Sequence, residues 1–252
     1  MPEERRLEEE FISQEAERRL SNQLDEAEQI NVDVQTDLFK IVQGQADGVS
    51  LSGQGLVIKE NIRVQEIKLQ TDSIAVNPFS AIFGQIELNA PVTAIARIVM
   101  TESDINQALN SDFVQNYAKN YALNVEGEII SFELENMQLS LPGNNKIEFQ
   151  GLIQIKEKAN NHQLGFTARF KPRTYANPII LESFNCHQGE GVRLEIVLAL
   201  MQKVKELVNL TYLTWEETKF KIIDMEIKQH NLIVLIETQM QQIPSSLSEI
   251  TN

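Results

Sequence analysis

The chain has 252 residues, with 22 Lys and Arg against 36 Asp and Glu for a net charge of −14, 42% hydrophobic residues and one cysteine. That length can bury a substantial core, while the lone Cys186 excludes an internal disulfide framework and a cysteine-based zinc site. The acidic balance and the dispersed basic residues argue against nucleic-acid binding, which needs a positive stripe, and disfavour electrostatic docking on anionic lipid, which needs a basic cluster.

Residues 3–28 carry ten acidic and four basic side chains and no glycine or proline. Leu7, Phe11, Ala16, Leu20, Leu24 and Ala27 recur at helical spacing, which predicts a solvated acidic helix of about six or seven turns. Its narrow apolar stripe would pack on the body of the protein, on a second copy, on a protein partner or on a membrane surface, the last disfavoured by the acidic polar face. The N-terminus lacks the basic and apolar regions of a secretory signal. The longest apolar run, Ile196 to Met201, is far short of the roughly 20 residues that span a bilayer. A soluble, cytoplasmic chain with at most peripheral, transient membrane contact is therefore expected. It divides into an N-terminal helix over residues 1–29, a single domain over 30–243 and a frayed tail over 244–252.

From residue 30 to about 100 the period changes to two. Ile86, Leu88, Ala90, Val92, Ala94, Ala96, Ile98 and Met100 are all apolar at successive even positions, which predicts a long strand with one dry face. Ile62 and Val64, then Ile67 and Leu69, then Ile74 and Val76 switch phase twice, and bulges near Glu66 and Asp72–Ser73 would keep one face inward. Val34-Gln35-Thr36-Asp37 and the apolar segment after it are echoed by Leu69-Gln70-Thr71-Asp72 and residues 79–85. The echo predicts two similar corners at which the sheet reverses.

Thr101 is a candidate N-cap for one helix or two short ones reaching about residue 122. Alternation then resumes through Ile130, Phe132 and Leu134, slips at Asn136, and continues through Met137, Leu139 and Leu141. Pro142-Gly143-Asn144-Asn145 is a turn by composition. Further alternating strands around Ile147–Ile155, Leu164–Phe170 and Ile179–Phe184 complete an antiparallel meander. Residues 189–209 form the most apolar helix, apolar nearly all round its middle and so expected to be covered on most sides. A hairpin around Gln229-His230-Asn231 closes the domain.

Catalytic patterns are missing. There is no G-x-S-x-G elbow, no P-loop and no complete dinucleotide fingerprint. His162, His187 and His230 lack metal-ligand spacing. Cys186 and His187 are neighbours on a strand, so their side chains point to opposite faces. Glu126, Glu128, Glu133 and Glu135 read as a solvated strand face, and Gly44, Gly48, Gly53 and Gly55 as corners and bulges. No catalytic residue, metal ligand or cofactor site is assigned.

Residues 34–49, beginning Val34-Gln35-Thr36-Asp37-Leu38-Phe39, together with Gly53-Gln54-Gly55-Leu56, Asn77-Pro78-Phe79 and Leu109-Asn110, resemble the bacterial LmeA-like phospholipid-binding family. The resemblance implies a fold similar to the tubular lipid-binding (TULIP, BPI-like) architecture: α+β, with a long curved antiparallel sheet wrapped around a long apolar helix. It implies no catalytic residue. The function expected is non-enzymatic binding or carriage of a phospholipid or glycolipid, its acyl chains held between the inward sheet face and the helix. Leu194, Val197, Leu198 and Met201 on the helix, with Phe166 and Phe170 on a strand, are the expected groove lining. The alternative is a structural or protein-interaction module of the same fold that uses the N-terminal helix for partner binding or dimerisation.

Overall fold

In the computed structural model the described residues are 7–22, 24–58, 62–77, 88–118, 121–157, 161–187, 189–215 and 218–240. The first helix, α1 (Leu7–Ser21), lies along the edge strand β1 (Gln29–Gln35). Glu9, Ser13 and Glu17 recur every four residues and accept hydrogen bonds from the backbone N–H groups of Thr36, Val34 and Val32, at 3.2, 3.1 and 2.8 Å. The match is geometric: four helical residues advance about 6.0 Å and two strand residues about 6.6 Å. Each acceptor therefore meets one outward-facing N–H of an edge that would otherwise be open to pairing. The helix ends at Ser21, short of the residue 28 expected, while residues 3–6 of the expected helix lie outside the described residues; Leu7 and Phe11 of the predicted stripe do not dock it. Leu7 and Phe11 are 81% and 73% exposed, because the unpaired N–H groups of the edge select polar side chains.

The first corner is α2 (Leu38–Val42), N-capped by the Asp37 side chain, which accepts from the Lys40 N–H at 2.9 Å. It ends at Gly44, whose φ of 69° is readily adopted only by glycine, and where a Cβ would collide with the Val76 carbonyl. β2 (Gln45–Ala46), β3 (Gly48–Ile58), β4 (Ile62–Thr71) and β5 (Ile74–Ala75) follow. β2 pairs with β5, so the echoed corner sequences lie side by side; residues 79–85 of the second copy fall outside the described residues.

Two strand expectations are corrected. The long strand is interrupted: β6 covers only Val92–Thr101, after a bend at Asn89–Ala90 and Pro91, and Leu88 makes an isolated bridge to Val76. Proline cannot donate to a ladder and so suits a strand start. Ile86 lies outside the described residues. The bulge near Glu66 is also missing, since β3 and β4 keep one register from Ser50↔Gln70 to Ile58↔Ile62. Val64 thus faces the opposite side from Ile67 and Leu69. It is buried with Leu56 and Val99, while α3 (Glu102–Leu109) packs on β4. β4 thus buries side chains of opposite faces at different points along its length, with α3 among the elements packed on it. At Asp72–Ser73 the chain leaves the sheet altogether.

Thr101 caps α3 in a reciprocal capping box with Asp104, and α4 (Asp112–Ala118) follows. The meander is β7 (Tyr121–Val125), β8 (Glu128–Gly143), β9 (Lys146–Lys156), β10 (Asn161–Lys171) and β11 (Ile180–His187), paired in sequence order as a five-stranded sheet. The slip at Asn136 is a bulge: its φ is 51°, and the β8–β9 register shifts between Glu135 and Gln138. Asn144 and Asn145 both have positive φ, as a two-residue hairpin turn requires.

The chain then forms α5 (Leu194–Val208), β12 (Leu213–Trp215), β13 (Thr218–Lys228) and β14 (Asn231–Met240). β14 pairs with β6, so the last strands complete a seven-stranded sheet of order β1-β3-β4-β6-β14-β13-β12. The protein is α+β and mainly antiparallel, but it has two large sheets instead of one. No sheet encloses α5: Ile196 and Leu200 are buried against the core, whereas Leu194 and Leu198 are 66% and 55% exposed. Lys146 and Lys171 flank Glu182 at 2.8 and 3.2 Å across the five-stranded sheet, and the Lys146 hydrogen bond leads in holding its carboxyl below the usual range.

Candidate functional site

Residues directly opposed in an antiparallel ladder point to the same face, so the pairs Phe132↔Ile155 and Leu164↔Ile153 place four large apolar side chains inward on the five-stranded sheet. All four are at most 3% exposed. Phe166 opposes Gly151, where a Cβ would stand 3.2 Å from its ring; glycine there lets the ring lie over the strand. Phe166 stacks on Phe184 with centroids 5.7 Å apart and meets Phe149 at the same distance in a tilted contact.

α5 crosses this face. Its first turn is fastened by Arg193, the N-cap residue, to Glu128 at 3.1 Å and Glu157 at 3.7 Å. Ile196 and Leu200 then seal the helix to the sheet. Toward its C-terminal half the side chains facing inward are the short Val204 and Val208, and the space they leave is an apolar cavity of about 390 Å³. Phe166, Phe170 and Phe184 form part of its floor, and Met225 and Leu232 from the β13–β14 hairpin close one side. At the rim stand Tyr121 and Leu207, which line the cavity while being 41% and 42% exposed. Lys203 is the one charged side chain among the described lining residues. It pairs with Glu206 at 3.6 Å and keeps 41% of its side chain in solvent.

Of the six residues expected to line a groove, Phe166 and Phe170 lie in the cavity wall. Leu194 and Leu198 are on the outer face of α5, and Val197 is packed half-buried beside the core. Met201 is also half-buried, and neither it nor Val197 belongs to the cavity wall. The helix instead contributes Leu200, Val204, Leu207 and Val208, together with Lys203. A stripe at i, i+4, i+7 and i+8 from Leu200 was present in the sequence. It was masked by the equally apolar residues before it.

Cys186 opposes Phe166 and His187 opposes Gly165, which puts the two side chains on opposite faces of β11. Partial burial pushes the Cys186 thiol up, away from the thiolate a nucleophile requires. Among the described residues no group of three His, Cys, Asp or Glu side chains is placed to hold a metal ion, and no helix is long and apolar enough to cross a membrane.

The fold and the site define an α+β protein with an apolar chamber whose described lining carries one charged side chain, Lys203 at the rim. The chain belongs to the LmeA-like phospholipid-binding family, whose model matches residues 4–237. Comparison with curated proteins and with solved structures found no match. The matched range takes in α1 as well as both large sheets, so the N-terminal helix lies within the region the family describes.

Proposed function

We propose that this protein binds a phospholipid by drawing an acyl chain into the cavity under α5, and acts as a carrier rather than an enzyme. The observation that carries this reading is the cavity itself: nineteen of its twenty described lining residues are apolar, tyrosine included, and the exception stands at the rim. At roughly 30 Å³ for a water-sized group, 390 Å³ takes on the order of a dozen methylenes, enough for most of one acyl chain. At about 0.8 kcal/mol per buried methylene that is on the order of 10 kcal/mol gross. Lost ligand freedom offsets several kcal/mol of it, so affinity in the micromolar range is expected. Lys203 is placed to meet the phosphate of a head group left outside.

The competing reading, a protein-interaction module using residues 3–28, draws on the exposed Leu7 and Phe11. Against it, Glu9, Ser13 and Glu17 are spent on the chain's own β1 edge. The test is titration of delipidated protein with a fluorescent lysophosphatidylcholine. Wild type should bind one per chain, and Val204→Trp, which fills the cavity, should weaken binding by at least about tenfold with circular dichroism unchanged. Equal binding by both would remove the cavity from the account.

A further inference from the structure

We infer that the mouth of the cavity is also the surface by which the protein docks on a phospholipid bilayer, an inference that rests on the acyl-chain reading above. The cavity opens where Tyr121 and Leu207 are both lining and exposed. The apolar surface does not stop there. Leu210, Tyr212 and Leu213, which follow α5 directly, are 47%, 43% and 47% exposed. Large apolar side chains thus continue along the chain from the rim residue Leu207 onto exposed surface, and a bilayer docked there would offer an acyl chain an apolar route to the chamber.

Three observations select a bilayer as the occupant. The patch is continuous with an apolar chamber, which a flat protein partner would leave unfilled. Two of its members are tyrosines, whose apolar ring and polar hydroxyl suit the head-group boundary. Its charged neighbours in the last two turns of α5 are Lys203, Lys205 and Glu206, which pairs with Lys203, so one cation remains in excess to face lipid phosphate, on a chain whose net charge of −14 disfavours contact with a second copy. Another exposed apolar cluster, Leu38, Phe39 and Val42 on α2, has the reverse setting. Its one lysine, Lys40, is held by Asp37 and Asp47, and the helix capped there offers acid to a phosphate surface.

The experiment is co-flotation with phosphatidylcholine vesicles, run beside binding of lysophosphatidylcholine dispersed below its micelle concentration. The variants are Leu210→Ser/Tyr212→Ser at the mouth and Phe39→Ser/Val42→Ser on α2. The expected result is an about tenfold or greater loss of flotation for the mouth variant, with dispersed-lipid binding within about twofold of wild type and no effect of the α2 variant. Flotation unchanged by the mouth variant, or lost only with the α2 variant, overturns the inference. So does a wild-type dimer by analytical ultracentrifugation that the mouth variant converts to monomer, which would assign the patch to a second copy. Wild type that floats through the mouth yet takes up no dispersed lipid supports the docking surface and overturns the carrier reading.

Discussion

Val204 and Val208 matter for what they lack. A leucine or phenylalanine at either position would reach the sheet as Leu200 does and close the cavity that the aromatic floor leaves open. The same helix separates structural from peripheral apolar residues within two positions, which lie about 160° apart around its axis. Leu200 is 8% exposed and Leu198 is 55% exposed. Leu200→Ala should therefore cost about 2–5 kcal/mol, and Leu198→Ser less than about 0.5 kcal/mol, measured by urea unfolding. Comparable losses would mean that α5 is enclosed on both faces. The sequence could not separate these two leucines, since residues 196–201 are uniformly apolar and only the position of the sheet decides which side is covered. Phe166 and Phe170 were readable for the opposite reason: they alternate along a strand whose other face is polar, so one side had to be dry.

At the scale of elements, local signals were the legible ones. Thr101 caps α3, the phase slip at Asn136 is a bulge, and Asn144-Asn145 turn a hairpin. Each is decided within a few residues by backbone geometry. What could not be read was how α1 would dock. Amphipathic logic assigns the apolar stripe to the interface, yet an edge strand presents N–H groups, and a row of acceptors at four-residue spacing satisfies them. Ser13 is 2% exposed, and its hydroxyl oxygen accepts from Val34. Ser13→Ala should leave that N–H without its partner and destabilise the protein by about 1–3 kcal/mol, with faster amide exchange at Val34 than at the ladder-bonded residues of β3. Unchanged stability and exchange would show that α1 does not protect the edge. The switch of dry face along β4 was illegible on similar grounds, because a phase change in the pattern records either a bulge or a change of cover, and here the register is unbroken and α3 is among the elements packed on the strand.

On the scale of the whole molecule, the chain returns to its beginning. β14 inserts beside β6, so the seven-stranded sheet joins the first and last strands while the five-stranded meander is built between them. α5 connects the two, leaving the meander it covers and leading into β12 at the edge of the other sheet. The cavity sits at that junction, bounded by the meander, by α5 and by the β13–β14 hairpin, which is why no single segment of sequence announces it. The resemblance carried by residues 34–110 lies mostly in the seven-stranded sheet, away from the chamber, so it pointed to the family without locating the site. The central claim is that an acyl chain occupies this chamber. The most direct measurement is photo-crosslinking with a lysophospholipid bearing a diazirine near the end of its acyl chain, followed by peptide mapping. Labels are expected on Phe166, Phe170, Val204 or Val208; labelling confined to α1, α2 or the outer face of α5 at Leu194 and Leu198 would contradict an occupied chamber.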